Sequence, residues 1–230
     1  MDKHLTEHPT EGVVSLVLFL IARNYPVGPK RIRRLLKIMG RETLYRRKNL
    51  TKLGLRQFIR PYLLNGLTID RPNQVWCTDI TYIPMKKGFM YLTAIIDVYS
   101  RKIVGWSISN SLSARWCKNM LEEAIAEHGK PEIVNSDQGT QYTSALWTQY
   151  LENLAIKISM DGKGRALDNV WIERFWKSIK YDYIFLNPAD DGFELYEGVQ
   201  NHIAYYNDKI HHTTRQSPNQ RHHEPIKKAA

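Results

Sequence analysis

Three β-rich runs joined by short links between residues 75 and 110 constrain the fold of this chain more than any other feature. The runs are VWCTDITYIPM, FMYLTAIIDVYS and KIVGWSISN, and they are rich in β-branched and aromatic residues. The links, Lys86-Lys87-Gly88 and Ser100-Arg101, are too short for a crossover, so neighbouring runs must pair as hairpins. The pattern predicts an antiparallel meander of three strands.

Helices and strands alternate after the meander. Two further strands are predicted at EIVNS and IKISM, and helices are predicted at about 113–129, 144–154, 166–185 and 193–208. Three antiparallel strands followed by alternating helix and strand is the order of a ribonuclease H-like fold. We therefore predict an α/β core with a five-stranded mixed sheet flanked by helices.

A small helical region is predicted ahead of this core. Residues 12–24 and 28–39 have the pattern of two helices joined by a tight turn, as in a helix-turn-helix. One side of the second helix is apolar and the other is basic, with Lys30, Arg33, Arg34 and Lys37 as candidate DNA contacts. A solvated basic helix without a ligand is the alternative at this point.

The positive charge of the chain is concentrated in one region. The formal net charge is +10, yet the stretch from Arg23 to Arg60 holds thirteen Lys and Arg against the single acid Glu42. An enzyme with a basic nucleic-acid arm has this distribution, because phosphates attract clustered cations. We predict a basic DNA-binding region at 1–60, a linker at 61–74, a catalytic core at 75–212 and a tail at 213–230.

Other sequence features narrow the class of protein. Cys77 and Cys117 stand forty residues apart, which disfavours a disulfide framework or a zinc ribbon. The apolar run from Val13 to Ala22 is shorter than the roughly 20 residues that span a bilayer, so we expect a buried helix there. These features predict a cytoplasmic protein with no membrane partner.

Three carboxylates occupy positions that surface acids rarely share. Asp79 lies mid-strand among apolar residues, where an unpaired carboxylate is costly. Asp137 directly follows the strand EIVNS, and Glu173 lies within the long helix, with 35 residues between the two. Carboxylates meeting at one edge of a sheet can hold two hard cations, Mg²⁺ or Mn²⁺, for in-line phosphoryl transfer. We predict that these three residues are both the catalytic groups and the metal ligands.

The long helix and the loop before it supply further candidate DNA contacts. One side of the helix is predicted to face the core, whereas Glu173 and the indole of Trp176 lie on the other side, where the indole could stack on an unpaired base. The remaining candidates are Lys163, Arg165, Asn169, Lys177 and Lys180.

The motifs together resemble the DDE integrase core shared by retroviral integrases and insertion-sequence transposases. In detail they resemble the second-frame, catalytic part of the transposases of insertion-sequence family three. The matching segments are RPNQVWCTDITYIPM, YLTAIIDVYSRKIVGW, HGKPEIVNSDQGTQYTS, IKISMDGKGRALDNVWIERFWKSIKYDYIFL and HIAYYND. The family's two aspartates and its glutamate fall on Asp79, Asp137 and Glu173. One departure is Ile210, which stands where the family commonly has an arginine.

The resemblance implies a transposase that cuts and rejoins DNA with divalent metal ions. It also implies a homo-oligomer, a first-frame protein as partner, and DNA ends and target DNA as substrates. Two other hypotheses remain open, an inactive transposase relic that only binds DNA and a plain ribonuclease H-like nuclease.

Asp97 and four histidines of the tail are also considered as metal ligands. Asp97 could be a fourth metal ligand, but pairing with Arg101 near a turn is the favoured interpretation. The tail histidines are interpreted as part of an exposed loop and not as metal ligands. They are His211, His212, His222 and His223.

Overall fold

The computed structural model describes residues 1–41, 59–162 and 169–223. The contacts divide the chain into two compact units, Met1–Gly54 and Leu55–Ala230. Within the described residues, the first unit contains helices only and the second contains every strand.

The first unit consists of α1 (Asp2–Glu7), α2 (Val13–Ile21) and α3 (Pro29–Ile38). Pro29 starts α3, and Gly40 follows its end with a φ of 62°, a backbone conformation that glycine adopts without strain. Buried side chains from all three helices form the core of this unit: Leu5, Leu16, Ile32 and Leu36. The basic side chains predicted on α3 are exposed, as its amphipathic pattern requires.

The prediction of a buried helix at Val13–Ala22 is wrong for most of its side chains. Leu16 is fully buried, but Val14 and Leu18 are 69% and 62% exposed. Three short helices offer surface to only one side of α2, so the apolar residues on its other side remain uncovered in this unit. None of the helices in the described ranges is long and apolar enough to cross a membrane.

The second unit is built on one five-stranded sheet. Its strands are β1 (Val75–Pro84), β2 (Phe89–Asp97), β3 (Ile103–Ser109), β4 (Ile133–Ser136) and β5 (Lys157–Met160), in the spatial order β3-β2-β1-β4-β5. The pairings β1–β2 and β2–β3 are antiparallel, which confirms the meander, whereas β1–β4 and β4–β5 are parallel. The predicted five-stranded mixed sheet is confirmed.

Helices cover both faces of the sheet. They are α4 (Ala114–His128), α5 (Ala145–Asn153), α6 (Val170–Ile179) and α7 (Gly192–Asp208), and a π-helical turn (Lys180–Ile184) continues α6. Alternate residues of a strand point to opposite faces. Accordingly, Trp76 packs in the cluster that contains side chains of α4 and α5, whereas Cys77 packs in the cluster that contains side chains of α6 and α7.

The stretch predicted as a linker, 61–74, contains no helix or strand but contacts the core. The backbone N–H of Leu63 donates to Ser159 Oγ over 3.0 Å, and the backbone N–H of Met160 donates to the Pro61 carbonyl over 3.3 Å. Leu64 is 7% exposed within the cluster that contains α6 and α7. The two hydrogen bonds attach residues 61–63 to β5, and Leu64 packs in the core of the second unit.

The tail contains a helix where an exposed loop was expected. Residues Pro218–His223 form α8, and Ser217 and Pro218 at its start are buried. The His222 Nδ1 lies 3.2 Å from Ser100 Oγ, just beyond β2. The expectation of an exposed loop is therefore wrong for 218–223, because a long-range contact to the sheet holds this segment.

Candidate active site

Asp79 and Asp137 are brought together by the parallel pairing of β1 and β4. Cys77 and Asn135 are register partners in this pairing. Since the strands run in the same direction, advancing two residues along each chain leads from Cys77 to Asp79 and from Asn135 to Asp137. The register therefore places both aspartates at the same end of the sheet.

Asp79 is anchored and poorly hydrated. Its Oδ2 accepts a hydrogen bond of 2.9 Å from the indole N–H of Trp176, and its carbonyl accepts one of 3.2 Å from Thr93 Oγ1. Burial raises the pKa of Asp79 to about 6, and the charges of Asp137 and Glu173 also raise it, whereas the hydrogen bond from Trp176 opposes the shift. The negative charges of Asp137 and Glu173 thus act on Asp79.

Asp137 lies in a tight turn directly after β4. Its Oδ1 accepts the backbone N–H of Gly139 over 2.9 Å. A Cβ atom on Gly139 would lie 2.9 Å from the same oxygen, so the turn has no room for a larger residue while Asp137 keeps this position. The Gln138 side chain donates to the Asp161 carbonyl over 2.8 Å, which ties the turn to the chain just beyond β5.

Glu173 is exposed in the first turn of α6, and its backbone N–H donates to the Asn169 carbonyl over 3.3 Å. Trp176 follows three residues later and reaches Asp79, and side chains three apart share one side of a helix. Glu173 is thereby carried on the side of α6 that faces Asp79.

Comparisons with known proteins identify the family and the fold of the chain. Two family models, both described as integrase core domain, match residues 69–166 and 154–218. The transposase for insertion sequence element IS904 of Lactococcus lactis is 34% identical over 212 residues, which cover 88% of this chain and 82% of that protein. The Escherichia coli transposase InsF for insertion sequence IS3A is 33% identical over 179 residues, 75% of this chain and 62% of that protein.

The chain belongs to the IS3 family of transposases. Its fold is that of the retroviral integrase cores. The HTLV-2 integrase catalytic core domain in complex with magnesium matches with a TM-score of 0.56 and 22% identity, covering 66% of this chain and 98% of that one. The simian T-cell lymphotropic virus intasome matches with a TM-score of 0.57 and 21% identity, covering 70% and 59%. The ribonuclease H-like fold is thus confirmed.

Trp176 of this transposase is buried, whereas the sequence predicted that it lies on the side of the helix away from the core. The indole is 7% exposed and donates to Asp79, so the hypothesis that it stacks on an unpaired base is wrong. Neighbouring helical positions diverge by only about 100°. Because α6 packs against the sheet, both Phe175 and Trp176 are buried beneath it. No sequence pattern indicated that the indole would donate to the candidate catalytic carboxylate Asp79.

The predicted DNA contacts on α6 differ in exposure. Lys177 is exposed, whereas Asn169 is 6% exposed and its Nδ2 donates to the Thr78 carbonyl over 3.4 Å. The ammonium of Lys180 donates to Thr81 Oγ1 over 2.6 Å, and burial lowers its pKa while the charge of Asp79 opposes the shift. Both Asn169 and Lys180 therefore contact β1, the strand that carries Asp79. The predicted contacts Lys163 and Arg165 lie outside the described residues.

Asp97 has a different set of contacts from the three candidate catalytic carboxylates. It is fully buried and accepts hydrogen bonds from the Asn73 N–H, the Ser100 N–H and the Ser100 hydroxyl, over 2.7, 2.7 and 2.6 Å. In the sheet it is paired with Trp76, three residues before Asp79. Arg101 pairs with Asp97 through the backbone, since the Arg101 N–H donates to the Asp97 carbonyl over 2.8 Å, whereas the carboxylate is bonded to Asn73 and Ser100.

The Tyr-Asn pair of the family motif has a structural role near the tail. Asn207 is buried, and its side chain both accepts from the Ile103 N–H, over 2.9 Å, and donates to the Ile103 carbonyl, over 3.0 Å. This pair of bonds caps the start of β3 with α7. Ile210, at the position of the family arginine, is 66% exposed.

The donor chemistry of the site suits hard divalent cations. Asp79, Asp137 and Glu173 supply only carboxylate oxygens. Burial is the main cause of the raised pKa of Asp79, and the charges of Asp137 and Glu173 add to it. Within residues 1–41, 59–162 and 169–223, no three or more His, Cys, Asp or Glu side chains form a ready metal cluster. The carboxylates are close enough to act on one another, but a bound cation would have to draw them together.

Proposed function

We propose that this chain catalyses metal-dependent cleavage and strand transfer of insertion-sequence DNA, with Asp79, Asp137 and Glu173 as its catalytic carboxylates. The observation that carries the proposal is the parallel register of β1 and β4, which places Asp79 and Asp137 at the same end of the sheet, next to the helix that carries Glu173. A partly buried carboxylate close to other negative charges is costly, so a cationic ligand is the simplest reason for the placement of Asp79.

Each residue has a distinct part in this proposal. Asp79 is fixed in orientation by the Trp176 indole, and Asp137 is fixed by the Gly139 N–H. Glu173 is exposed on its helix and so has the freedom to complete the site when DNA is present. When bound by these carboxylates, two Mg²⁺ or Mn²⁺ ions would activate a water or a 3′-hydroxyl and stabilise the leaving oxygen.

The basic region would bind the DNA on which the core acts. We propose that residues 1–60 recognise the element ends through the exposed basic face of α3, and that residues 75–212 carry the chemistry. Lys177 is exposed one turn after Glu173 on α6, where it could contact a phosphate next to the reacting bond. A homo-oligomer would bring two element ends together, and a first-frame protein would contribute to end recognition.

The decisive experiment compares carboxylate variants on DNA that carries the ends of the element, with Mg²⁺ or Mn²⁺ and with the first-frame partner supplied. Asp79→Asn, Asp137→Asn and Glu173→Gln should each bind this DNA like the wild type but form no nicks or strand joints. Glu122→Gln, which changes an exposed carboxylate of α4, is the matched control and should keep full activity.

Two outcomes would reject the proposal. If the wild type binds DNA but neither nicks nor joins it with either metal, the chain is the binding-only relic. Joining that survives the loss of one of the three carboxylates would exclude that residue from the catalytic set.

A further inference from the structure

A cavity of about 350 Å³ lies between α6, the carboxyl-terminal half of α7 and the loop that follows α7. It is separate from the three carboxylates, none of which lines it. Its cationic and aromatic lining consists mainly of Arg101, Trp171, Arg174, Tyr206, Lys209 and His211. The proposed chemistry of the active site uses none of these residues, so the cationic and aromatic lining of the cavity requires a separate explanation.

Arg101 is an unusually placed cation. It follows β2 with a φ of 69°, a conformation that few side chains adopt, and its Nη1 is buried with no hydrogen-bond partner among the described residues. Buried donors of a charged group normally have acceptors, because leaving them unpaired is costly. The Arg101 guanidinium, which lines the cavity, therefore indicates an anionic ligand.

Neighbouring charges reinforce this indication. Burial lowers the pKa of Arg101, and the positive charges of Arg221 and Arg174 lower it further. Asp182 is the acidic residue in the lining, and its carboxylate already accepts a hydrogen bond of 2.8 Å from Ser178 Oγ. The cavity thus concentrates cations with little acidic compensation.

Aromatic rings stand beside these cations. The Arg101 guanidinium carbon lies 5.6 Å from the ring centre of Trp171, and Tyr206 meets His211 edge to face at 4.6 Å. Trp171 is half-buried, so part of its ring remains accessible. Guanidinium groups bind phosphate oxygens through paired hydrogen bonds, and indole rings stack on nucleobases. A carboxylate ligand would bind the cations but would not account for the aromatic rings beside them.

We infer that this cavity binds one unpaired nucleotide, with its phosphate on Arg101 and Arg174 and its base against Trp171. The nucleotide could belong to a DNA strand or could be a free mononucleotide. The inference rests on the proposed function in one respect, since DNA is the anion that a transposase meets. Arg174 follows Glu173 on α6, so a single helix would carry both a catalytic carboxylate and a contact to this nucleotide.

Photocrosslinking of the full chain tests the inference. A single-stranded tetranucleotide with one 5-iodouracil is irradiated with the protein in EDTA, and the crosslinked residue is mapped by mass spectrometry. Crosslinks should map to Trp171, Tyr205 or Tyr206. Their yield should fall about tenfold in the double variant Arg101→Gln/Arg174→Gln, which loses two charge-assisted contacts. Ile210→Arg, which adds a cation to the lining, should raise the yield.

The matched control is Arg115→Gln/Lys157→Gln, which removes two exposed cations elsewhere on the second unit and should leave the yield unchanged. Melting curves establish that each variant is folded. Displacement by excess thymidine monophosphate would support the inference with a free nucleotide as the source, and displacement only by the unlabelled tetranucleotide would support it with a DNA strand.

Three results would overturn the inference. They are crosslinks that map only outside the cavity, a yield that is unchanged in the Arg101→Gln/Arg174→Gln variant, or better displacement by an oligoglutamate peptide than by the tetranucleotide. Because the assay contains no metal, its failure is distinct from a failure of nicking or joining.

Discussion

The indole N–H of Trp176 donates to Asp79 Oδ2 over 2.9 Å, so a residue of the hydrophobic core orients a proposed catalytic carboxylate. The bond also stabilises the ionised form of Asp79 and so lowers its pKa, whereas burial raises it. One side chain on α6 therefore links the packing of the helix on the sheet to the charge state of the site.

Replacing Trp176 with Phe removes this donor and keeps an aromatic ring in the core. A hydrogen bond to a charged group contributes about 1.5–3 kcal/mol, so we expect the Mg²⁺ concentration for half-maximal nicking to rise about tenfold or more. Trp147→Phe is the matched control, because the buried Trp147 Nε1 has no partner among the described residues. An equal Mg²⁺ requirement in the two variants would show that Trp176 only fills space.

Replacing Asp79 with Asn should stabilise the metal-free protein. The folded pKa of Asp79 is about 6, above its ordinary value of 3.8, so the folded state holds this proton more tightly than the unfolded state. Stability from this group is therefore present below pH 3.8 and is lost as the pH rises to about 6. Above that pH the ionised carboxylate costs up to about 3 kcal/mol.

Thermal melting in EDTA measures this effect. Asp79→Asn should melt above the wild type at pH 7.5, and the difference should vanish near pH 4. Mg²⁺ should raise the melting temperature of the wild type but not that of the variant. Asp190→Asn, at an exposed carboxylate paired with Lys86, should show neither effect. A lower melting temperature of Asp79→Asn at pH 7.5 would contradict the argument.

Adding one methyl group at Gly139 should disrupt the site without unfolding the protein. The new Cβ would meet Asp137 Oδ1 at 2.9 Å, so the carboxylate must move and lose its bond to the residue 139 N–H. We expect Gly139→Ala to reduce nicking at least about tenfold, since small displacements of catalytic groups have large effects. Gly28→Ala, which has open space around its Cβ, is the control for melting temperature.

The sequence predicted the features that depend on local pattern. Apolar alternation and short links were enough for the meander, and a parallel register then brought Asp79 and Asp137 together. Contacts between distant segments left no such pattern. The burial of Trp176 depends on how α6 lies on the sheet, and the helix at 218–223 depends on the contact of His222 with Ser100, 122 positions away. Neither could be inferred from periodicity.

Asp97 provides the last prediction, because a structural aspartate and a fourth metal ligand respond differently to mutation. Asp97→Ala removes the acceptor of three hydrogen bonds, and the Ser100 donors left unpaired are buried. We expect a loss of about 3–5 kcal/mol in the free energy of unfolding, measured by urea denaturation. Below its melting temperature, however, the variant should need the same Mg²⁺ concentration for nicking as the wild type. A metal ligand would show the reverse, with little loss of stability and a steeply raised Mg²⁺ requirement, and Asp70→Ala at an exposed carboxylate should change neither quantity.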